Sequence, residues 1–384
     1  MATPTRFPVG LNTFPPRHIL NTYPVSPSPR QVAVQEDFLP YRAGDYTITT
    51  AVAGTVTTFP QLTGAVKLAT SANATDTIYA FRLGAGFQLM PLNQAWYNTR
   101  FAYPRSVLNT NDTNIYLGGW FDAATLSASN NGIYFFKPSG GTAVNLIIKK
   151  AGTTTTFQNI ADVSLPSGLF GDTNAVNGTL TATIAGNAFT AVSVATAGAG
   201  YQTSPLVLTT TTAGGTTGST PVIVGLGSTG LSSTNPQVPI QSTQLPYGSL
   251  YAPYIATPGS GFTNGGPLTT LLEVEPVLDL SFYYNGKDTL YVGVNGRVVM
   301  TIGPAGQTAF AAGATINVAT AAGGPSFAPT TQLTTSIAPV QPTAGSAYNI
   351  LPTTLLNTGF GVANTSANIR TMYELEYYSA VELN

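Results

Sequence analysis

The chain has no cysteine, a single histidine and very little charge, with 14 Lys and Arg against 15 Asp and Glu in 384 residues. Without cysteine there is neither a disulfide framework nor a thiolate metal site. The one imidazole, His18, has no acidic residue nearer in sequence than Glu36, so no catalytic dyad is built around it locally. A net charge of −1 argues against a nucleic-acid groove and against a basic membrane patch. No run of about 18 apolar residues exists to span a bilayer. The opening "MATPTRFPVG" has no apolar stretch of a signal peptide, and synthesis in a cytoplasm is expected. Helix signals are also missing: apolar residues never keep the spacing i, i+3, i+4, i+7 without a Gly, Pro or Thr cluster interrupting them.

What replaces charge is Thr, Ser, Asn, Gly and Pro. Charged residues make up 8% of the chain, against a usual figure of about 25%. Hydrophobic content is 43%, with 19 Tyr and 18 Phe to fill a core, so the chain folds rather than staying disordered. Weak surface charge gives little colloidal protection and suits a protein that lives in an assembly.

Period-two alternation runs through the sequence. It is clearest in "VLDLSFYYNGKDTLYVGVNGRVVMTI", Val277 to Ile302. Leu278, Leu280, Phe282 and Tyr284 share a face, Asn285-Gly286 turns the chain, and Leu290, Val292 and Val294 follow. Asn295-Gly296 then turns it again into Val298, Met300 and Ile302. Asn-Gly tolerates the positive φ angles of a type I′ turn, so this segment predicts a three-stranded antiparallel meander. Further strands are expected in "GAVKLAT" (64–70), "GFQLMPL" (86–92), "AWYNTRFAYP" (95–104), "IYLGGWFD" (115–122), "GIYFFKP" (132–138) and "NLIIKKAG" (145–152). In "RTMYELEYYSAVEL" (370–383), alternation sets Tyr373, Leu375 and Tyr377 on one face and Glu374 and Glu376 on the other. Many short strands at this spacing predict an all-β antiparallel sandwich.

Two regions break the rhythm. Residues 173–267 are dense in Thr, Gly, Ser and Ala, and "TAGAGYQTSPLVL" (196–208) is echoed by "TPGSGFTNGGPL" (257–268) and more faintly by "TAAGGPSFAPTTQL" (320–333). This reads as a small inserted β module built on a repeated Gly-turn unit. Residues 303–350 are rich in Pro, Ala and Thr and read as long loops or another short-strand excursion. The chain thus divides into an arm (1–36), a first sandwich part (37–172), the inserted module (173–267) and a second sandwich part (268–384).

Candidate chemistry is thin. Glu36-Asp37, Glu273/Glu275 and Glu374/Glu376 are the close carboxylate groupings. Residues two apart on a strand project together, which suits Ca²⁺ or a glycosidase cleft if opposed. The plainer reading is a solvated face, or pairing with Arg297 and Arg370 on adjacent strands. "NDTN" (111–114) and "GDTN" (171–174) read as turns. Trp96, Trp120, Tyr116 and Phe282 to Tyr284 are candidates for a sugar platform, although alternation assigns half of them to the interior. "GSGFTNGG" (259–266) lacks the Lys-Ser/Thr and the helix of a phosphate loop. No catalytic residue, metal or cofactor is expected.

The segment "FPPRHILNTYPVSPSPRQ", Phe14 to Gln31, carries five prolines and two arginines. Proline fixes φ and removes a donor, so the stretch is extended, close to polyproline II. A stiff segment loses less entropy on docking. Phe7, Leu11, Phe14, Pro15, Pro16, Arg17, His18, Ile19, Tyr23 and Arg30 are the residues expected to lie against a partner; the alternative is that they wrap their own sandwich.

The opening "RFPVGLNTFPPRHILNTYPVSPSP", then "EDFLPY", then a sandwich resembles virion structural proteins of tailed bacteriophages, most of all capsid decoration (cement) proteins. The order "AWYNTRF", "GIYFFK", "FYYNGKDTLYVGVNGRVV", "GFGVANTSANIRTMYELEYYSAVE" is similar to concanavalin-like (laminin-G-like) jelly rolls, in which the final strand returns beside the first. The resemblance spans 37–172 and 268–384. It implies a non-enzymatic homo-oligomer, a trimer by preference, on the outer surface of a head. The major capsid protein would be its partner, and assembly would follow synthesis in the bacterial host cytoplasm. The echoes at 196–208 and 257–268 resemble short repeats of tail and fibre proteins, which implies a second reading: a tail-fibre or receptor-binding adhesin for host surface glycans.

Overall fold

The meander forms where Asn-Gly placed it. In the computed structural model the second turn has φ 49° at Asn295 and 76° at Gly296, the positive pair of a type I′ turn. The first turn is wider, because the Asn285 side-chain oxygen accepts from the N–H groups of Lys287 (2.9 Å) and Thr289 (3.0 Å). The structure describes residues 31–38, 41–59, 64–84, 86–89, 93–103, 113–202, 205–208, 223–225, 249–250, 253–260, 268–287, 289–303, 306–307 and 350–382.

In chain order the strands begin with β1 (Gln31–Glu36), β2 (Tyr46–Thr50), β3 (Thr55–Thr58), β4 (Val66–Ala69), β5 (Thr77–Arg82), β6 (Ala95–Ala102) and β7 (Thr113–Phe121). There follow β8 (Gly132–Lys137), β9 (Ala143–Lys150), β10 (Thr153–Asp162), β11 (Thr179–Ala185), β12 (Ala188–Thr196), β13 (Leu206–Leu208), β14 (Ile223–Gly225) and β15 (Tyr254–Thr257). The last are β16 (Leu268–Glu275), β17 (Val277–Tyr284), β18 (Leu290–Val294), β19 (Arg297–Gly303), β20 (Gly306–Gln307), β21 (Asn357–Asn364) and β22 (Thr371–Glu382).

These strands build an all-β antiparallel sandwich. Sheet A has nine strands in the order β20-β19-β18-β17-β6-β22-β4-β3, with β1 added on β22, and sheet B has seven in the order β10-β9-β8-β7-β21-β5-β2. The last strand does return beside the first, Gln31 opposite Glu382 through Glu36 opposite Tyr377. One core lies between the sheets. At its centre Trp120 stacks on Phe87 at 5.2 Å and meets Phe282 edge-on at 5.1 Å, and each such buried ring contributes on the order of 2–3 kcal/mol. Two successive glycines of β7, Gly118 (φ 139°) and Gly119 (φ 154°), let its backbone close onto this core. A Cβ on Gly119 would stand 2.4 Å from both the Ile133 carbonyl oxygen and the Tyr134 Cα.

A second, smaller core belongs to the sheet β12-β11-β16-β13, where Leu180, Ile184, Phe189, Tyr201 and Leu250 pack together. This sheet takes in β16, so it reaches past residue 267 as far as Glu275. In the first Gly-turn echo, Gly198 and Gly200 have positive φ and the Tyr201 hydroxyl accepts from the Gly178 N–H at 2.9 Å. The echo at 320–333 and most of the expected loop region 303–350 lie outside the described residues.

The expected strand at 86–92 is corrected to a single bridge, Phe87 with Leu356. Leu355 packs where a side chain on Gly86 would go, and residues 90–92, including the donor-less Pro91, lie outside the described residues.

Candidate functional site

All ten arm residues singled out from the sequence (Phe7, Leu11, Phe14, Pro15, Pro16, Arg17, His18, Ile19, Tyr23 and Arg30) lie outside the described residues. What the structure gives is the root of the arm. Residues 31–36, expected to continue it, are β1, a strand laddered along the C-terminal half of β22. β22 in turn pairs with β6 on its other side. The arm therefore joins the body through the middle of sheet A.

A polar clasp bolts this root to sheet B. Glu36 and Tyr377 are opposite each other on β1 and β22, and Tyr46 and Arg82 are opposite each other on β2 and β5. The two pairs meet across the sandwich. The Arg82 Nη1 donates to Glu36 Oε2 at 3.0 Å, to the Tyr377 hydroxyl at 3.1 Å and to the Tyr46 hydroxyl at 3.4 Å. The two tyrosine hydroxyls bond each other at 2.9 Å, and Asp45 lies 3.7 Å from the Arg82 Nη2. Burial raises both phenols above their ordinary range; Tyr377 and Glu36 raise Tyr46 further, and Glu36 raises Tyr377 against the opposing pull of Tyr46 and Arg82. Both therefore stay neutral donors and acceptors over any physiological pH.

Directly after β1 the chain turns at Phe38, which has φ 55°. Its N–H donates to Glu36 Oε1 at 3.3 Å, and its ring packs edge-on against Phe360 (5.9 Å) and Tyr377 (6.0 Å). Sequence reasoning had Glu36 but missed Tyr46, Arg82 and Tyr377. They come from distant parts of the chain, and the available signal was an arginine ending the apolar run "IYAF" in a chain with few charges.

The carboxylate readings are corrected. Glu374 and Glu376 do not share a solvent face, because β22 shifts register against β6 between them: Glu374 sits opposite Phe101, but Glu376 sits opposite Arg100. Leu375 is the extra residue of this bulge. Glu374 consequently points into the core, fully buried, and accepts from the Thr99 hydroxyl. Among the described residues its Oε2 has no hydrogen-bond partner, and burial raises its pKa well above 4.5. Glu376 faces outward and pairs with Arg100 at 3.0 Å, rather than with Arg297 or Arg370. Arg100 also holds Asp279 at 2.8 Å. This places a guanidinium between two carboxylates on the outer face of sheet A, with Trp96, Tyr283 and Ala380 clustered further along it. Burial outweighs the Arg100 attraction at Glu376 and raises its pKa.

The sugar-platform candidates are all buried: Trp96, Trp120, Tyr116, Phe282, Tyr283 and Tyr284 are each no more than 8% exposed. The turn reading of 171–174 holds, with Asp172 accepting from the Asn174 N–H at 3.0 Å. Among the described residues, no three acidic or histidine side chains gather as a metal site would need. The arrangement offers strong noncovalent fastening at the clasp.

No protein-family model matches the chain, and no curated protein sequence matches it. Solved structures do. One is a protein of unknown function from Shewanella oneidensis MR-1 (9% identity, 95% of this chain and 92% of that one, TM-score 0.36). Another is an endo-1,3-beta-glucanase from Streptomyces sioyaensis (8%, 94% and 99%, 0.38), and a third is the carbohydrate recognition domain of Emp46p (7%, 88% and 88%, 0.25). An enzyme and a recognition domain thus both appear among similar structures, and at these scores neither lends its activity to this chain.

Proposed function

We propose that this chain is a non-enzymatic capsid decoration protein of a tailed bacteriophage, which binds the outside of the major-capsid lattice through its N-terminal arm. The observation that carries this reading is the way the arm is rooted. A tether that bears load between subunits must pass it into the body without peeling. Here β1 lies antiparallel along β22, so tension applied at Gln31 acts along the ladder and is resisted by all six residue pairs together. The clasp at Glu36 then passes it to sheet B through Arg82. The sparse charge of the chain supports burial in a large assembly, where contacts are extensive and apolar.

The test is binding to phage heads stripped of this protein, comparing the full chain with one lacking residues 1–30, which leaves β1 in place. Stoichiometric binding by the full chain and none by the truncated chain is expected. Equal binding by both would remove the arm from the mechanism. Adhesion of both to host glycans, with no binding to heads, would replace this reading with the adhesin.

A further inference from the structure

The two sheets end on consecutive strands at one side of the sandwich, β2 closing sheet B and β3 closing sheet A. Edge strands are ordinarily guarded by charge, proline, a bulge or a covering segment. β2 has none of the first three. It reads YTITT, no charged residue occurs from Tyr46 through Val66, and its ladder with β5 keeps one register throughout. Leu83 N–H donates to the Asp45 carbonyl (2.8 Å) and Ala51 N–H to the Thr77 carbonyl (3.1 Å). In an antiparallel ladder this assigns the odd-numbered residues to the β5 side. The N–H and C=O groups of Ile48 and Thr50 and the C=O of Tyr46 therefore point away from β5, while the Tyr46 N–H is taken by the Ala43 carbonyl. The next outward N–H, that of Val52, is capped by Asp76 Oδ1 at 2.9 Å, which bounds the open stretch. Ile48 lies on the face of β2 that carries Tyr46 into the core, yet it is 36% exposed. The interior runs out at this edge.

We propose that β2 pairs antiparallel with β2 of a second copy of this chain, about a two-fold axis through Ile48. The sequence is self-complementary there: Thr47-Ile48-Thr49 reads the same in both directions. The axis sets Ile48 against Ile48, Thr47 against Thr49 and Tyr46 against Thr50, so that the two Ile48 residues exchange both hydrogen bonds and each Thr50 N–H meets the Tyr46 carbonyl of the other copy. Opposed threonines on the outer face are a favourable cross-strand pair, and the half-exposed isoleucines cover each other on the inner face. Asp45 falls opposite Ala51, so no like charges are brought together. The N-terminal arm is a poorer occupant, since prolines at 4, 8, 15, 16, 24, 27 and 29 remove the donors a continuous ladder needs. Sheet B would then run unbroken through both copies. The pairing forms in solution and does not depend on the capsid reading.

The absence of native cysteine makes the test clean. Hydrogen-bonded antiparallel partners have Cα atoms about 5.5 Å apart, within the roughly 4.4–6.8 Å that a disulfide spans. Under mild oxidation of the full chain, Ile48→Cys is expected to cross-link at least about tenfold faster than Val298→Cys, a more exposed site on β19. By sedimentation velocity the wild type is expected as a dimer and Ile48→Lys as a monomer with unchanged far-ultraviolet dichroism. A monomeric wild type, cross-linking at Ile48 no faster than at Val298, or a dimer lost only when residues 1–30 are removed would each overturn the proposal. Head binding is read separately and fails or succeeds without reference to these outcomes.

Discussion

At the residue scale, Glu374 ties stability to pH. An unfolded chain gives this carboxyl a pKa near 4.5, and burial in the folded core raises it well above that. The folded state therefore holds the proton more tightly. The stabilisation is complete below about 4.5 and is lost as pH rises through the folded pKa, at up to about 1.4 kcal/mol per pH unit. Glu374→Gln is expected to remove this fall and to be the more stable protein at about pH 8. Urea unfolding of both across the pH range checks it. Gly119 sets a harder limit, since a methyl there collides with backbone atoms on β8 that have nowhere to move. Gly119→Ala is expected to cost more than about 3 kcal/mol, read as a lowered denaturation midpoint or as loss of soluble protein.

At the element scale, β1 depends on the clasp as well as on its ladder. Glu36→Gln weakens a charged, partly buried bond to Arg82, worth roughly 1–3 kcal/mol. The expected outcome is faster hydrogen exchange at β1 with β6 and β17 unchanged. Elements were legible where local chemistry decides them. The Val277–Ile302 meander is written in its Asn-Gly turns, and β6 to β9 in their apolar alternation. Other features were settled by distant packing. "YELEYY" alternates equally well on either side of a bulge, so nothing local said that Leu375 would slip the register and drive Glu374 inward. β2 and β3, Thr-rich and uncharged, look like loop sequence until a neighbouring strand gives them a face. The clasp was illegible for the same reason: its four residues are brought together by sheet topology, and no spacing encodes that.

At the scale of the whole molecule, the sandwich and the Thr/Gly-rich module keep separate cores. Among the described residues the module's is far smaller, with eight buried residues. Cores that share no side chains unfold with limited cooperativity, so calorimetry is expected to resolve two transitions, the module's first. Tyr201→Phe removes the bond to Gly178 and is expected to lower that first transition alone.

The join between those two cores has a consequence of its own. β16 of the module leads into β17 of the sandwich with only Pro276 between them. The other approach is pinned by Asn295 Nδ2 to the Ser167 carbonyl (2.6 Å) and by Asn177 Nδ2 to the Ser164 carbonyl (3.1 Å). There is no swivel. The module is a fixed outrigger, so a torque on its tip is felt as a twist of β17, and every copy in an ordered array would hold its tip at one bearing.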